Sequence, residues 1–208
     1  MKSSSSMRVV ALVAGLFVAG MALAQPQQAP SNVEYSAMST SEFSEGAIKG
    51  RVYHKPNMER RESNVGGMNS ITIMRFDKKL MWMVMPNEQM YIQMPLGKPR
   101  NDDLSSYQME RTVVGPEVLN GMNTTKYKVI MTKADGSKFG GFMWQSSHGI
   151  MVKLDAIGVE GNKKNRIKME LTEIEVGPQP ASLFEVPPGF QLMDMPGMNL
   201  EALMNRGG

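Results

Sequence analysis

From residue 33 to residue 176 the apolar side chains recur mainly with a period of two, and turn-forming residues interrupt the pattern at short intervals. A period of two is typical of β-strands, whereas an amphipathic helix repeats about every 3.6 residues. Intervals this short leave no room for crossover helices, so consecutive strands are expected to pair antiparallel through hairpins. The sequence therefore predicts a mainly β fold, a curved antiparallel sheet or incomplete barrel of about ten strands.

The turn signals set the bounds of the individual strands. Short turn-forming sequences separate the strands, for example Gly66-Gly67, Asp135-Gly136 and His148-Gly149. The strands are predicted at residues 33–38, 47–53, 58–64, 69–76, 80–85, 90–94, 109–114, 125–132, 138–145, 150–157 and 165–176. We expect them to follow one another in up-and-down order, with strong curvature or a cover to protect the edges and the apolar face.

The two ends of the chain differ from this β domain, which we assign to residues 33–190. Residues 1–24 have the positive start, apolar run and Ala22-Leu23-Ala24 cleavage motif of a secretory signal peptide, which predicts a soluble periplasmic protein beginning at Gln25. Residues 25–32 are expected to be a polar linker. Residues 191–208 form a Met-rich C-terminal segment in which residues 199–205 are predicted to be a short helix. The stretch from residue 192 to residue 204 is a candidate lid.

Composition excludes several classes of function. Cysteine is absent, so disulfides, thiolate metal sites and a cysteine nucleophile are excluded. Without Lys2 and Arg8 of the leader, basic and acidic residues almost balance, which is unlike a nucleic-acid-binding protein. No stretch after the leader is long and apolar enough to span a membrane as a helix. The two histidines, His54 and His148, lie in no catalytic motif, so we predict a protein that is not an enzyme and needs no cofactor.

The most informative local feature is the segment LMWMVM at residues 80–85, which is apolar on both faces of its strand. A half-buried strand would alternate apolar with polar residues, so something must cover the second face. Flexible methionine side chains suit a surface that repacks around varied ligands, although they can also be ordinary core. The candidate lining residues are Met81, Met83, Met85, Met90, Ile92 and Met94 on one face, or Leu80, Trp82 and Val84 on the other.

Five segments, taken in order, resemble the LolA/LolB-like periplasmic carrier superfamily and most closely the DUF4412 family. They are GRVYHKPNMERRE at 50–62, WMVMP leading to YIQMP at 82–95, the stretch at 121–127, the hairpin at 144–153, and LFEVPPGF at 183–190. The resemblance implies an incomplete barrel with a hydrophobic cavity that binds or ferries lipids or the acyl chains of lipoproteins. It also implies that Lys55, before Pro56, matches a basic residue of the carriers.

Three further interpretations stay open at this stage. Arg60, in the run Arg60-Arg61-Glu62, could orient an anionic headgroup, or these charges could simply face solvent and pair across strands. The thioethers of Met193, Met195 and Met198 could bind Cu(I), which accepts soft ligands, or could pack over the sheet or act as an oxidant sink. Finally, the sheet could serve as an interaction module for another envelope protein.

Overall fold

The computed structural model describes residues 31–43, 46–65, 67–96, 107–133, 136–160 and 163–193. Within these residues the chain forms eleven long strands and one short strand. They are β1 (Tyr35–Phe43), β2 (Gly46–Lys55), β3 (Met58–Val65), β4 (Met68–Arg75), β5 (Leu80–Met85), β6 (Met90–Pro95), β7 (Gln108–Leu119), β8 (Met122–Thr132), β9 (Lys138–Ser146), β10 (Met151–Glu160), β11 (Lys163–Val176) and β12 (Gln191–Leu192). A single turn of 3-10 helix, Ala181–Phe184, lies between β11 and β12. The predicted helix at 199–205 lies outside the described residues.

The hairpins between neighbouring strands form where the sequence provides residues that tolerate a left-handed backbone. The β7–β8 hairpin is the clearest example, since Leu119 pairs directly with Met122 and only two residues form the loop. Those residues, Asn120 and Gly121, both have positive φ, at 51° and 77°. Asn-Gly with two positive φ values is the preferred two-residue hairpin turn, because its twist matches that of the strands.

The described strands form a single sheet in the order β12-β6-β5-β4-β3-β2-β1-β11-β10-β9-β8-β7. Neighbours are antiparallel, except that β12 adds in parallel to β6. The expectation of a curved, open antiparallel sheet is confirmed, but the simple up-and-down order is wrong at one point. Because β1 pairs with β11, strands β6 and β7, which follow one another along the chain, lie in opposite halves of the sheet, β7 at one edge and β6 next to β12 at the other.

The sheet folds its two halves toward one face, which we call the inner face. The tip of the β7–β8 hairpin reaches across β9 and β10 to β11, where Asn120 Nδ2 donates to the Leu171 carbonyl at 2.8 Å. Leu119 beside this tip packs against the cluster that contains Tyr35, Ala37 and Val52. Directly opposed residues share a face, so the register extends the inner face to the far strands. It runs from Ala37 through Val52, Arg61, Thr72 and Met83 to Ile92.

The other side, the outer face, is covered over β3 to β6 by the chain itself. Residues 178–190, the cover segment, lie between β11 and β12 and include the 3-10 turn. Phe184 from this turn is fully buried against Ile73, Trp82 and Val84 of the outer face. The strand β12 then continues the same segment onto the edge of β6.

Candidate functional site

The two apolar faces of β5 have different surroundings. Leu80, Trp82 and Val84 point to the outer face, where Trp82 and Val84 are buried beneath Phe184. Trp82 also satisfies its indole N–H, which donates to Gln93 Oε1 at 2.9 Å. The second of the two predicted lining faces, that of Leu80, Trp82 and Val84, is therefore covered by the protein's own cover segment.

Two arginines of the outer face hold the cover segment in place. Arg60 donates from Nη1 to the Leu183 carbonyl at 3.0 Å and from Nε to Glu62 at 2.7 Å. Arg75 donates to the Phe184 carbonyl at 3.2 Å. The headgroup hypothesis has Arg60 orient an anionic group of a ligand; in the structure its side chain is 8% exposed and lies beneath the cover segment.

Arg75 belongs to an ion-pair network at the edge of the same cover. It pairs with Asp77 at 2.7 Å and with Glu185, and Lys78 reaches Glu185 from the solvent side at 3.2 Å. Its bond to Asp77 raises the pKa of the guanidinium, and Arg75 in turn lowers the pKa of Asp77 to about 2. Burial opposes the ionisation of Glu185, but its bonds to Arg75 and Lys78 lower the pKa of this carboxyl, so the ion pair holds the cover segment at ordinary pH.

Lys55, the residue that the family resemblance singles out, has a similar tethering position. Its ammonium lies 3.2 Å from Glu34 Oε1 and 3.4 Å from the Gln179 carbonyl. Glu34 Oε2 accepts a hydrogen bond from the Gln179 backbone at 2.6 Å, and this bond lowers the pKa of the Glu34 carboxyl. Lys55 thus joins the start of β1 to the entry of the cover segment.

The remaining predicted lining residues gather on the inner face of β5 and β6. Met81 lies directly opposite Met94, Met83 opposite Ile92, and Met85 opposite Met90. Because directly opposed side chains lie about 5 Å apart, they form one continuous patch. With Met74 of β4, which lies opposite Met81, we call this patch the methionine surface. It consists of Met74, Met81, Met83, Met85, Met90, Ile92 and Met94.

The methionine surface is only partly covered. Met83 is 39% exposed, and the other members are half-buried. None of the seven belongs to the three hydrophobic clusters that the described residues form. The same face is fully packed further along the sheet, where Val129, Met131 and Leu154 are buried. An apolar patch at the open end of a packed inner face is a favourable place for an apolar ligand.

A polar cluster borders the methionine surface on β2 and β3. Glu59 lies opposite both His54 and Met74, and its carboxylate is 2.5 Å from Arg61 Nε and 3.8 Å from His54 Nδ1. Burial opposes its ionisation, but the Arg61 charge and His54 outweigh this effect and lower the pKa of Glu59 to about 2. Burial likewise opposes the charged form of His54, yet Glu59 and the Ser31 carbonyl raise the pKa of its ring. The cluster therefore carries fixed charge beside the apolar patch.

The proposed copper ligands are only partly within the described residues. The Met193 N–H donates to the Tyr91 carbonyl at 2.8 Å, which places Met193 beside the edge of β6. Met195 and Met198 lie outside the described residues. In the part of the chain that the structure describes, no group of three His, Asp or Glu side chains could hold a metal ion.

Sequence reasoning missed Met74, Glu59 and Arg61 as members of the inner face. Met74 could have been found from the alternation in β4, where Ile73 is buried on the outer face and Met74 follows it on the other. Glu59 and Arg61 could not, since residues 59–64 of β3 are polar on both faces and the two apolar residues at its ends, Met58 and Val65, point to opposite faces. Only the register with β2 and β4 places them.

These observations define a class of protein, an open curved β-sheet whose outer face is covered over β3 to β6 by the cover segment and whose inner face presents an apolar patch. The model of the family described as "Domain of unknown function (DUF4412)" matches residues 37–190. The chain belongs to this family, as the sequence segments predicted. No helix among the described residues is long and apolar enough to span a membrane.

Several solved structures are similar to this chain. An uncharacterized conserved protein from Thermus thermophilus has 14% identity and a TM-score of 0.53, over 78% of this chain and 90% of that one, and it shows a shared fold. The MucA/MucB complex of Pseudomonas aeruginosa has 11% identity and a TM-score of 0.49, over 76% of this chain and 56% of that one. A putative outer membrane lipoprotein-sorting protein domain from Vibrio parahaemolyticus has 7% identity and a TM-score of 0.32, over 73% and 89%. Comparison with curated proteins finds no match.

Proposed function

We propose that the protein is a periplasmic binding or carrier protein that holds an acyl chain, from a lipid or a lipidated partner, on the methionine surface. One observation carries this proposal. The two faces of β5 are both apolar, but only the outer one is packed against a cluster of the described residues, while Met83 on the inner face is 39% exposed. The periplasmic location rests on the leader pattern of residues 1–24.

The physical basis of binding would be the removal of apolar surface from water. Burial of a methylene contributes about 0.8 kcal/mol, and part of this gain is lost in ordering the mobile chain. Methionine side chains can adjust to chains of different shape, because they are unbranched and have three rotatable bonds. A half-open patch of this kind suits reversible binding, as a carrier requires.

The polar cluster supports a defined orientation of the ligand. Arg61 is half exposed and lies in the same row of the sheet as Thr72 and Met83. An acyl chain on the methionine surface would therefore have its polar end toward β3 and its apolar end toward β6.

A matched pair of variants tests the site with a dansyl-labelled undecanoic acid as fluorescent probe. Met83→Gln places an amide on the methionine surface, and Ile130→Gln places one on the outer face of β8, where Ile130 is 38% exposed. Since a polar group buried without a partner costs about 1–3 kcal/mol, Met83→Gln should weaken probe binding about tenfold. Ile130→Gln should leave it unchanged. Equal effects of both substitutions, or no binding by the wild-type protein, would refute the assigned surface.

A further inference from the structure

The methionine surface is ordered in rows that cross β4, β5 and β6. The row that starts at Met74 continues directly to Met81 and then to Met94. The next row runs from Thr72 to Met83 and Ile92 and contains a single sulfur. Beyond it, Met85 and Met90 form a pair. Among the described residues of these three strands, one row alone aligns three thioethers.

The alignment allows the three sulfurs to converge. Directly opposed side chains in an antiparallel sheet have Cβ atoms about 4.5–5.5 Å apart. Met81 is the middle residue, so both Met74 and Met94 are its immediate neighbours. Each methionine has three rotatable bonds, and all three side chains are half-buried without a place in a hydrophobic cluster. Their sulfurs can therefore meet above Met81 without any movement of the backbone.

The sulfur atoms of this row favour a soft cation. The next residue in the row is Glu59, whose side chain is only 16% exposed and is paired with Arg61. Arg61 Nε donates to one of its oxygens, so this charge is balanced and the preference for a particular metal rests on the sulfur atoms. A hard cation such as Mg²⁺ or Ca²⁺ requires oxygen ligands, whereas thioethers select Cu(I).

We propose that Met74, Met81 and Met94 form a three-thioether site for Cu(I). These three residues also belong to the methionine surface, but Cu(I) binding depends on their sulfur atoms, whereas acyl-chain binding depends on their apolar surface. This is a second copper hypothesis beside the one for the C-terminal methionines, and here the strand register aligns the ligands. Ag(I), which is equally soft, serves as a probe that does not undergo oxidation in air.

Two triple variants of the full-length protein distinguish the effect of the sulfur atoms from the effect of the apolar surface. The first replaces Met74, Met81 and Met94 by Leu, and the second, as control, replaces Met83, Met85 and Met90 by Leu. Met-to-Leu exchange conserves volume and usually costs less than about 1.5 kcal/mol, so both variants should fold, as thermal unfolding would show. Cu(I) affinity is measured without oxygen, by competition with a chromophoric Cu(I) chelator.

The wild-type protein and the control variant should each bind one Cu(I) with similar affinity. Removal even of the partners that orient metal ligands costs about 10–100-fold in affinity, so loss of the ligands themselves should weaken Cu(I) more than about 100-fold in the first variant. X-ray absorption of the Ag(I)-loaded wild-type protein should show sulfur-only coordination. Equal loss in both variants, retention in the first, or oxygen or nitrogen ligands in the spectrum would overturn the proposal.

Discussion

Arg60 and Arg61 are adjacent in the chain but act on opposite faces of the sheet. Arg60 donates to the Leu183 carbonyl at 3.0 Å and so fastens the cover segment to the outer face. Arg61 Nε lies 2.5 Å from Glu59 on the inner face, beside the methionine surface. The alternation of a β-strand thus assigns one arginine to stability and the other to the border of the proposed site.

Arg75 should contribute measurably to stability through the cover segment. Arg75→Met removes the partner of the Phe184 carbonyl and of the Asp77 side chain and leaves Glu185 with Lys78 alone, so we expect a loss of about 1–3 kcal/mol in the free energy of unfolding by urea. Lys78→Met is the control, since Lys78 shares Glu185 but is 45% exposed. It should change stability by less than about 1 kcal/mol. A similar loss of stability in both variants would show that Arg75 does not hold the cover segment in place.

Glu59 should make stability depend on pH in the acid range. Its folded-state pKa is about 2 against an ordinary value of 4.5, so the stabilisation is complete above pH 4.5 and is lost as the pH falls toward 2. The difference in unfolding free energy between wild type and Glu59→Gln should therefore be largest near pH 6 and shrink steadily below pH 4.5. A difference that stays constant down to pH 2 would contradict the ion pair with Arg61.

Two adjacent glycines of β9 should respond differently to a methyl group. A Cβ on Gly141 would lie 2.1 Å from the Asp155 carbonyl oxygen and 2.5 Å from Ala156 Cα, whereas a Cβ on Gly140 would meet nothing within 4 Å. We expect Gly141→Ala to lower the free energy of unfolding by about 1–3 kcal/mol, measured by urea unfolding, because the methyl group would push β9 and β10 apart. Gly140→Ala should remain within about 0.5 kcal/mol of wild type. A larger loss of stability for Gly140→Ala than for Gly141→Ala would contradict the close approach of the β10 backbone to Gly141.

The strands themselves could be predicted from the sequence because their cause is local. Alternation and turn residues identified all eleven long strands near their observed positions, and the apolar character of both faces of β5 was visible in LMWMVM. The two-residue strand β12 was missed, since Gln191–Leu192 is too short to show a period.

The side of the sheet that remains open could not be predicted, because it depends on contacts distant in sequence. Phe184 covers Trp82 from a position far along the chain, and no local pattern in β5 distinguishes its outer from its inner face. For the same reason the pairing of β1 with β11 was not foreseen. The sequence could give two alternative sets of lining residues, one on each face of β5, but only the position of the cover segment shows which face stays open.

Native mass spectrometry tests the central claim most directly. The protein should be purified from its own cell without detergent and measured before and after extraction with organic solvent. The proposed function predicts an additional mass of a lipid or acyl compound that disappears on extraction and that is much less abundant in the Met83→Gln variant. A bound mass that persists unchanged in this variant, or a wild-type protein that stays bare even after incubation with a fatty acid, would contradict acyl-chain binding on the methionine surface.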